Sequence, residues 1–124
     1  MRKPERLETK RPRQNGWVKR KRKEIPLEIS IEKRAVKFLE EAGFKVEKHG
    51  KHGWPDRRVD VGYSVHIWLE FKRAKFSCLT KAQKRRFGEL QRRGELIYVV
   101  KSFTDAVETA WRIHNLAAKM QLFA

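Results

Sequence analysis

The stretch from Gly53 to Lys72 constrains the fold of this chain more than any other part of its sequence. Apolar and polar residues alternate on both sides of Gly62-Tyr63-Ser64, a tripeptide typical of a tight turn, so two antiparallel strands are predicted. The second strand places four apolar residues on a single face, which is therefore predicted to be core: Val65, Ile67, Leu69 and Phe71.

Two carboxylates flank this turn symmetrically, since Asp56 and Glu70 lie the same number of residues from Tyr63. Folding back at the turn sets them opposite each other on neighbouring strands, where facing Cα atoms are roughly 4.5–5.5 Å apart. At that separation they can share one divalent cation. Lys72 follows Glu70 by two residues and so projects from the same face of the strand. Two carboxylates and a lysine therefore predict a catalytic site at this edge of the sheet.

The first helix is predicted from Pro26 to Ala42, ended by Gly43 as its C-terminal cap. Its apolar stripe is predicted to comprise Ile29, Ala35, Val36, Phe38 and Leu39.

The other elements follow in order around the hairpin. A strand is predicted over Phe44–Lys48, and a later helix begins with the capping box Thr80-x-x-Gln83. The unbroken apolar run Leu96–Val100 is typical of a buried central strand, and a last helix begins near Ser102. The order helix, three strands, helix, strand, helix predicts an α/β fold with a mixed β-sheet flanked by helices.

The charge of the chain points to a polyanionic partner. Lys and Arg outnumber Asp and Glu by 31 to 15 in 124 residues, a net charge of +16. Nucleic acid is the first candidate and an anionic membrane surface the second. No apolar run approaches the roughly 20 residues that span a bilayer. A single cysteine, Cys78, forms no internal disulfide, so a reducing interior, the cytoplasm, is expected.

Half of this charge lies in residues 1–24, which are predicted to be a disordered basic arm preceding one domain over residues 25–124. The arm holds eleven Lys and Arg against three Glu. Such a segment neutralises phosphates and orders on DNA, or else serves only as a solvated tail. Trp17 near Lys19–Lys23 favours DNA contact, because an exposed aromatic ring among cations can stack on bases.

Pro55-Asp56 followed by Glu70-Phe71-Lys72 resembles the PD-(D/E)xK nuclease motif. Over about residues 28–102 the chain resembles a stand-alone VRR-NUC domain, a kind common in phages. The resemblance is carried by Glu28, the Gly53-x-Pro55-Asp56-Arg57 turn, Glu70-x-Lys72, the Leu79-Thr80-x-x-Gln83 helix start and Gly94. It implies a restriction-endonuclease-like core and hydrolysis of DNA phosphodiester bonds that leaves a 5′-phosphate.

The metal expected for this chemistry is Mg²⁺, with Mn²⁺ able to substitute. A phosphodiester repels hydroxide, and Mg²⁺ on oxygen ligands relieves this repulsion and acidifies a bound water. Asp56, Glu70 and the backbone carbonyl of Phe71 are the predicted ligands. Lys72 is expected to position the water and to stabilise charge that develops on phosphorus.

The resemblance implies two further active-site residues. A glutamate of the first helix points into the site in that family, and Glu28 matches it best by its distance from Gly43, with Glu32 as the rival. Glu28 would then serve a second metal site, or alternatively only complement the helix dipole. Gln83 matches a family glutamine that would orient Lys72 or a phosphate, although its capping role is an equally good interpretation.

Basic residues around this site are expected to contact DNA. They are Lys48, Lys51, His52, Arg57, Arg73, Lys75, Lys81, Lys84 and Arg85, with Lys19, Arg20, Lys21, Arg22 and Lys23 of the arm. A zinc site at His49 and His52 is disfavoured, because their spacing fits no common zinc signature. Trp54 is predicted to pack the loop rather than to stack on a base.

The expected function is that of a metal-dependent, structure-specific DNA endonuclease acting on branched or flapped DNA, in a bacterial host cytoplasm if the chain is phage-encoded. Alternatives are an archaeal-type Holliday junction resolvase and a DNA-binding accessory protein with an inactive nuclease fold. Junction resolution requires a homodimer. Four apolar residues near the C-terminus form a candidate dimer interface, here called the seam: Leu116, Met120, Leu122 and Phe123. Alternatively, these residues close the core of the domain.

Overall fold

The computed structural model describes residues 28–73 and 78–122, apart from the side chain of Leu122. The elements are helix α1 (Glu28–Glu41), strands β1 (Lys45–Lys48), β2 (Arg57–Gly62) and β3 (Val65–Phe71), helix α2 (Lys81–Arg92), strand β4 (Ile97–Val100) and helix α3 (Phe103–Leu122). The predicted order of elements is confirmed. The predicted basic arm, the helix start at Pro26, Lys75 and Phe123 lie outside the described residues.

The four strands form one mixed sheet in the order β1-β2-β3-β4. β1, β2 and β3 are antiparallel neighbours, whereas β4 runs parallel to β3. Helices α1 and α3 cover one face, where their side chains join the apolar side of β2 and β3 in a single core. Helix α2 lies on the other face, so the chain is an α/β fold consistent with a restriction-endonuclease-like core.

The apolar alternation of β3 forms the core, as predicted. Ile67 and Leu69 are fully buried, and Ile67 lies opposite the equally buried Val59 of β2. Burial of side chains of this size stabilises the fold by about 1.5–3 kcal/mol each. The two central strands are therefore the most firmly held part of the sheet.

The β2–β3 turn lies where the sequence predicts it, with Tyr63 and Ser64 both at positive φ (57° and 63°). The strand register shifts by one residue between Asp60 and Gly62, which is the signature of a β-bulge. Beyond the bulge Arg57 pairs with Leu69. This register carries the residue before β2, Asp56, to the end of β3 that holds Glu70.

Gly43 ends helix α1 as predicted, at φ +101°, with the N–H of Phe44 donating to the carbonyl of Leu39 at 3.0 Å. The predicted apolar stripe of α1 is partly wrong. The buried residues are Ile31, Ala35 and Leu39, spaced four apart, whereas Ile29 and Phe38 are exposed. Apolar residues of this segment fall on two adjacent faces of the helix. Packing against the strand side chains buries only one of these two faces.

The prediction that Leu96–Val100 is a buried central strand is wrong. β4 covers only Ile97–Val100 and lies at the edge of the sheet. Leu96 and Val99 are each 39% exposed. An unbroken apolar run is typical of strands covered on both faces, but it does not determine whether a further strand pairs with it.

Helix α3 begins at a cap formed by Ser102, whose hydroxyl accepts the N–H of Asp105 at 3.0 Å. Its inward face is made of small and branched residues, namely Ala106, Ala110, Ile113 and Ala117. Small residues let the helix approach the sheet closely. Among residues 28–73 and 78–122, no helix combines the length and apolar character needed to cross a membrane.

Candidate active site

The structure brings Asp56 and Glu70 together at one end of the β2–β3 hairpin. Asp56 Oδ2 accepts the backbone N–H of Phe71 at 2.8 Å, which ties the start of β2 to the end of β3. Because this N–H belongs to the residue after Glu70, the hydrogen bond fixes the two carboxylates beside each other. Lys72 Nζ lies 3.5 Å from Glu70 Oε2, on the same face as predicted.

Glu70 is the one buried carboxylate among the described residues, with its side chain only 3% exposed. Gln83 Nε2 donates to Glu70 Oε2 at 2.9 Å. Glu70 Oε2 therefore has two partners, the Gln83 amide and the Lys72 ammonium. The other oxygen, Oε1, is buried and has no hydrogen-bond partner. A buried carboxylate oxygen without a partner is costly unless a proton or a cation neutralises it.

Both carboxyl groups are harder to ionise than usual. Burial, followed by the nearby Asp56 charge, raises the pKa of Glu70 to about 7, against the opposing effects of Lys72 and Gln83. Burial also raises the pKa of Asp56, opposed chiefly by its hydrogen bond from Phe71. A cation placed between the two groups would reverse both effects.

The residues present fit a Mg²⁺ ion with few protein ligands. Within the described part of the chain, no three His, Cys, Asp or Glu side chains cluster as a metal site. Mg²⁺ commonly takes only one or two carboxylates and completes its shell with water and substrate phosphate. Asp56 and Glu70 supply that number, and the unpartnered Glu70 Oε1 offers a lone pair for it.

Gln83 fulfils its predicted capping role and reaches the candidate site with the same amide group. Its carbonyl oxygen accepts the N–H of Thr80 at 3.0 Å, while Thr80 Oγ1 accepts the N–H of Gln83 at 3.1 Å, completing the capping box. The amide nitrogen is thereby turned toward Glu70. Its partner is the carboxylate, and not Lys72 as the family resemblance suggested. Helix α2 thus positions Glu70 through its first turn.

Helix α1 presents two glutamates toward the same end of the sheet. Glu28 Oε2 accepts the N–H of Arg73 at 3.2 Å, and Glu32 pairs with Arg57 Nε at 2.6 Å. Both glutamates contribute to the raised pKa of Asp56. Glu28, in the first turn of α1, therefore contacts the loop that follows Glu70, while Glu32 is committed to an ion pair.

The basic residues predicted to contact DNA divide into two groups. Arg57 lies on the core face of β2, where its half-buried guanidinium is held by Glu32. Arg73 is also half-buried. The others among the described residues are exposed around the end of β1, the following loop and helix α2: Lys48, Lys51, His52, Lys81, Lys84 and Arg85.

Trp54 packs the loop, as predicted, because a stacked ring and a guanidinium lie against its indole. The His49 ring stacks on it at 4.4 Å with an angle of 16° between the planes, and the Arg86 guanidinium lies 5.0 Å from its centroid. Gly53 lets this loop approach α2, since a Cβ there would lie 3.2 Å from the Ala82 carbonyl oxygen. Trp54 thus holds the Asp56 loop against α2.

Sequence reasoning missed the polar network next to the carboxylates. Glu95 Oε1 accepts from Trp68 Nε1 at 2.8 Å and lies 2.7 Å from His66 Nε2. The hydrogen bond from Trp68 is the largest cause of the lowered pKa of Glu95. Trp68 and His66 precede Glu70 by two and four residues, so strand alternation places them on the same face.

Comparisons with protein-family models, with curated proteins and with solved structures each returned no match for this chain. The functional interpretation therefore depends on the geometry of the site itself.

Proposed function

We propose that this chain is a metal-dependent, structure-specific DNA endonuclease of the VRR-NUC kind. The observation that carries the proposal is the pair Asp56 and Glu70, with Lys72 at 3.5 Å and a buried Glu70 oxygen that has no partner. A purely structural carboxylate is normally satisfied by hydrogen bonds or ion pairs on both oxygens. A half-satisfied one beside a second carboxylate favours a cation site.

Each residue has a distinct task in the proposed hydrolysis. Bound Mg²⁺ supplies charge neutralisation at the phosphate and a water of lowered pKa. Asp56 is held in position by the Phe71 N–H, and Glu70 by the Gln83 amide. Lys72, whose ammonium is half-buried beside Glu70, stabilises negative charge that builds on the phosphoryl oxygens. Helix α2, through Gln83, keeps Glu70 oriented during turnover.

The proposed substrate is DNA, preferably branched or flapped, and its cleavage leaves a 5′-phosphate. The proposed location of the reaction is the cytoplasm. The net charge of +16 supports a polyanionic partner. Exposed cations lie on α2, which carries Gln83, and on the loop after β1 that leads to Asp56, and they would follow the sugar–phosphate backbone.

One cleavage panel tests this proposal. The full chain is incubated with labelled duplex, flap, fork and four-way junction DNA in Mg²⁺, in Mn²⁺ and in EDTA. Metal-dependent incision of flap, fork or four-way junction in preference to duplex is expected. Incision of the four-way junction alone would favour an archaeal-type resolvase. Binding to all substrates without incision in either metal would favour an accessory protein with an inactive nuclease fold and would refute the proposal.

Deleting residues 1–24 is expected to weaken DNA binding and to reduce its dependence on salt. These residues hold half of the net charge, and the log–log salt slope on duplex DNA falls by about 0.9 for each phosphate that the protein no longer neutralises. Fluorescence anisotropy at several salt concentrations measures the slope. As a matched control, replacing Lys19–Lys23 by glutamine keeps the length of the chain. An unchanged slope in both variants would show that the arm is a passive tail.

We also propose a homodimer in which the exposed apolar residues of α3 contribute to the seam. Leu116 is 48% exposed and Met120 is 73% exposed, one helical turn apart. Leu116→Glu with Met120→Glu is expected to yield folded monomers that bind DNA but lose paired incision of junctions. Light scattering at micromolar concentration measures the mass. The control Asn115→Glu with Gln121→Glu adds the same charge at exposed polar positions. A parent chain with a mass near 14.8 kDa, with and without junction DNA, would contradict the dimer.

A further inference from the structure

A cavity lies at the opposite end of the hairpin from the carboxylates, near the turn between β2 and β3. Its volume is about 330 Å³, within the range of pockets that take small ligands. Phe44, Trp111 and His114 line it from the core side, and Lys45 and Asp60 lie at its polar rim. None of these residues belongs to the candidate active site.

The walls of this cavity are aromatic. Phe44 and Trp111 have ring centroids 4.9 Å apart, and Trp111 and His114 have centroids 5.4 Å apart, both in edge-on arrangements. Trp111 is nevertheless 38% exposed. A partly exposed indole beside a cavity offers π surface against which a planar ring can lie.

The neighbouring turn adds a tyrosine at a strained position. Tyr63 is 46% exposed, its ring lies 5.5 Å from that of His114, and its φ is +57°. Asn or Gly adopts this conformation at little cost, whereas other side chains are disfavoured there. A strained, exposed aromatic residue next to a cavity is a better indication of ligand binding than of stability.

The cavity offers two side-chain hydrogen-bond acceptors, His114 and Asp60, and one donor at its rim, Lys45. His114 Nδ1 lies 2.7 Å from the carbonyl oxygen of Val61, which only accepts, so Nδ1 donates, and in this tautomer Nε2 is the acceptor. Asp60 is exposed and receives only a 3.4 Å contact from the N–H of Gly62. Two acceptors complement a base edge that carries donors, such as the N1–H and N2 amino group of guanine.

We propose that the cavity lined by Phe44, Trp111 and His114, with Tyr63 beside it, binds one unpaired base of the DNA substrate, with guanine preferred. This inference rests on the proposed function, since it assumes that the chain binds DNA. The six residue steps from Asp56 to Gly62 span about 20 Å, close to six base steps of DNA. Intact duplex offers no unstacked base at that distance, whereas a flap, loop or junction does. The cavity would thereby select branched DNA.

Binding of nucleotides without divalent metal tests the cavity directly. The full chain is titrated in EDTA with dGMP, with dTMP and with 2-deoxyribose 5-phosphate, a matched ligand that lacks the base, while amide and indole NMR signals are followed. We expect dGMP to shift the signals of Val61, Gly62 and Trp111 and to bind roughly tenfold more tightly than the base-free sugar phosphate. Equal affinity for the sugar phosphate, or shifts confined to α2, would overturn the proposal. Equal affinity for dTMP would overturn the guanine preference.

Two turn variants separate the role of the ring from that of the strain. Tyr63→Asn and Ser64→Gly each remove a non-glycine side chain that is disfavoured at positive φ, so both are expected to raise the Tm. Only Tyr63→Asn removes the aromatic ring next to His114 at the cavity and should weaken dGMP binding at least fivefold. Unchanged dGMP affinity in Tyr63→Asn would refute the proposed site. These binding measurements involve no cleavage, so the two proposals can fail separately. A chain that cuts DNA but binds no base refutes only the proposed base-binding site. A chain that binds the base but does not cut DNA refutes only the proposed nuclease activity.

Discussion

Asp56→Asn is expected to reduce Mg²⁺-dependent cleavage by about 10³-fold or more while leaving DNA affinity unchanged or slightly higher. The variant loses one of two charged ligands, and charge stabilisation by a bound cation contributes several kcal/mol to such reactions. Asparagine keeps a side-chain oxygen that accepts the N–H of Phe71, so the strand ends stay joined. Removing a negative charge from the site does not oppose binding of phosphates.

Single-turnover cleavage of the preferred substrate measures the first effect, and a gel-shift titration in EDTA measures the second. Glu108→Gln is the matched control, because Glu108 is an exposed carboxylate on α3 and its loss changes the net charge equally. Cleavage by Asp56→Asn within about tenfold of the parent would show that Asp56 is not a cation ligand.

Glu70→Gln is expected to abolish cleavage and, without divalent metal, to change how stability depends on pH. The pKa of Glu70 is about 7 in the folded chain, above its ordinary value of 4.5. The folded state therefore binds the proton more tightly than the unfolded state, and this contribution to stability is present at low pH. It is lost as the pH rises through about 7.

The neutral glutamine has no such loss, so the stability of Glu70→Gln relative to the parent should grow by roughly 2 to 3 kcal/mol between pH 5 and pH 8. Urea unfolding at the two pH values measures this difference. At pH 8, Mg²⁺ should stabilise the parent and leave Glu70→Gln unaffected, because only the parent binds it. Parallel pH profiles for parent and variant would contradict the buried, cation-dependent role of Glu70.

Much of the local structure could be predicted from the sequence because its causes are local. The capping box of Thr80 and Gln83 and the glycine that ends α1 depend on residues within one helical turn. The hairpin depends on strand alternation and on its turn residues. The placement of Asp56 opposite Glu70 was also predictable by counting outward from Tyr63.

That counting, however, assumed a symmetric turn, whereas the structure reaches the same register with Tyr63 and Ser64 at the turn and a bulge before Gly62. Without the bulge, a shift of one residue would move Asp56 opposite Phe71, and the carboxylates would lie on different faces. The bulge is a property of how two strands pair.

Three features of the structure depend on tertiary packing and could not be predicted from the sequence. β4 became an edge strand because the sheet ends there, which its own apolar run does not specify. Arg57 turned toward α1 because Glu32 faces it across the core side of the sheet. The unpartnered oxygen and raised pKa of Glu70 arise because α2 and the sheet exclude water from it. The sequence by itself determined which chemical groups could meet, since spacing and periodicity act along the chain. Burial, which sets the charge state of those groups, depends on contacts between distant segments and was decided by the fold.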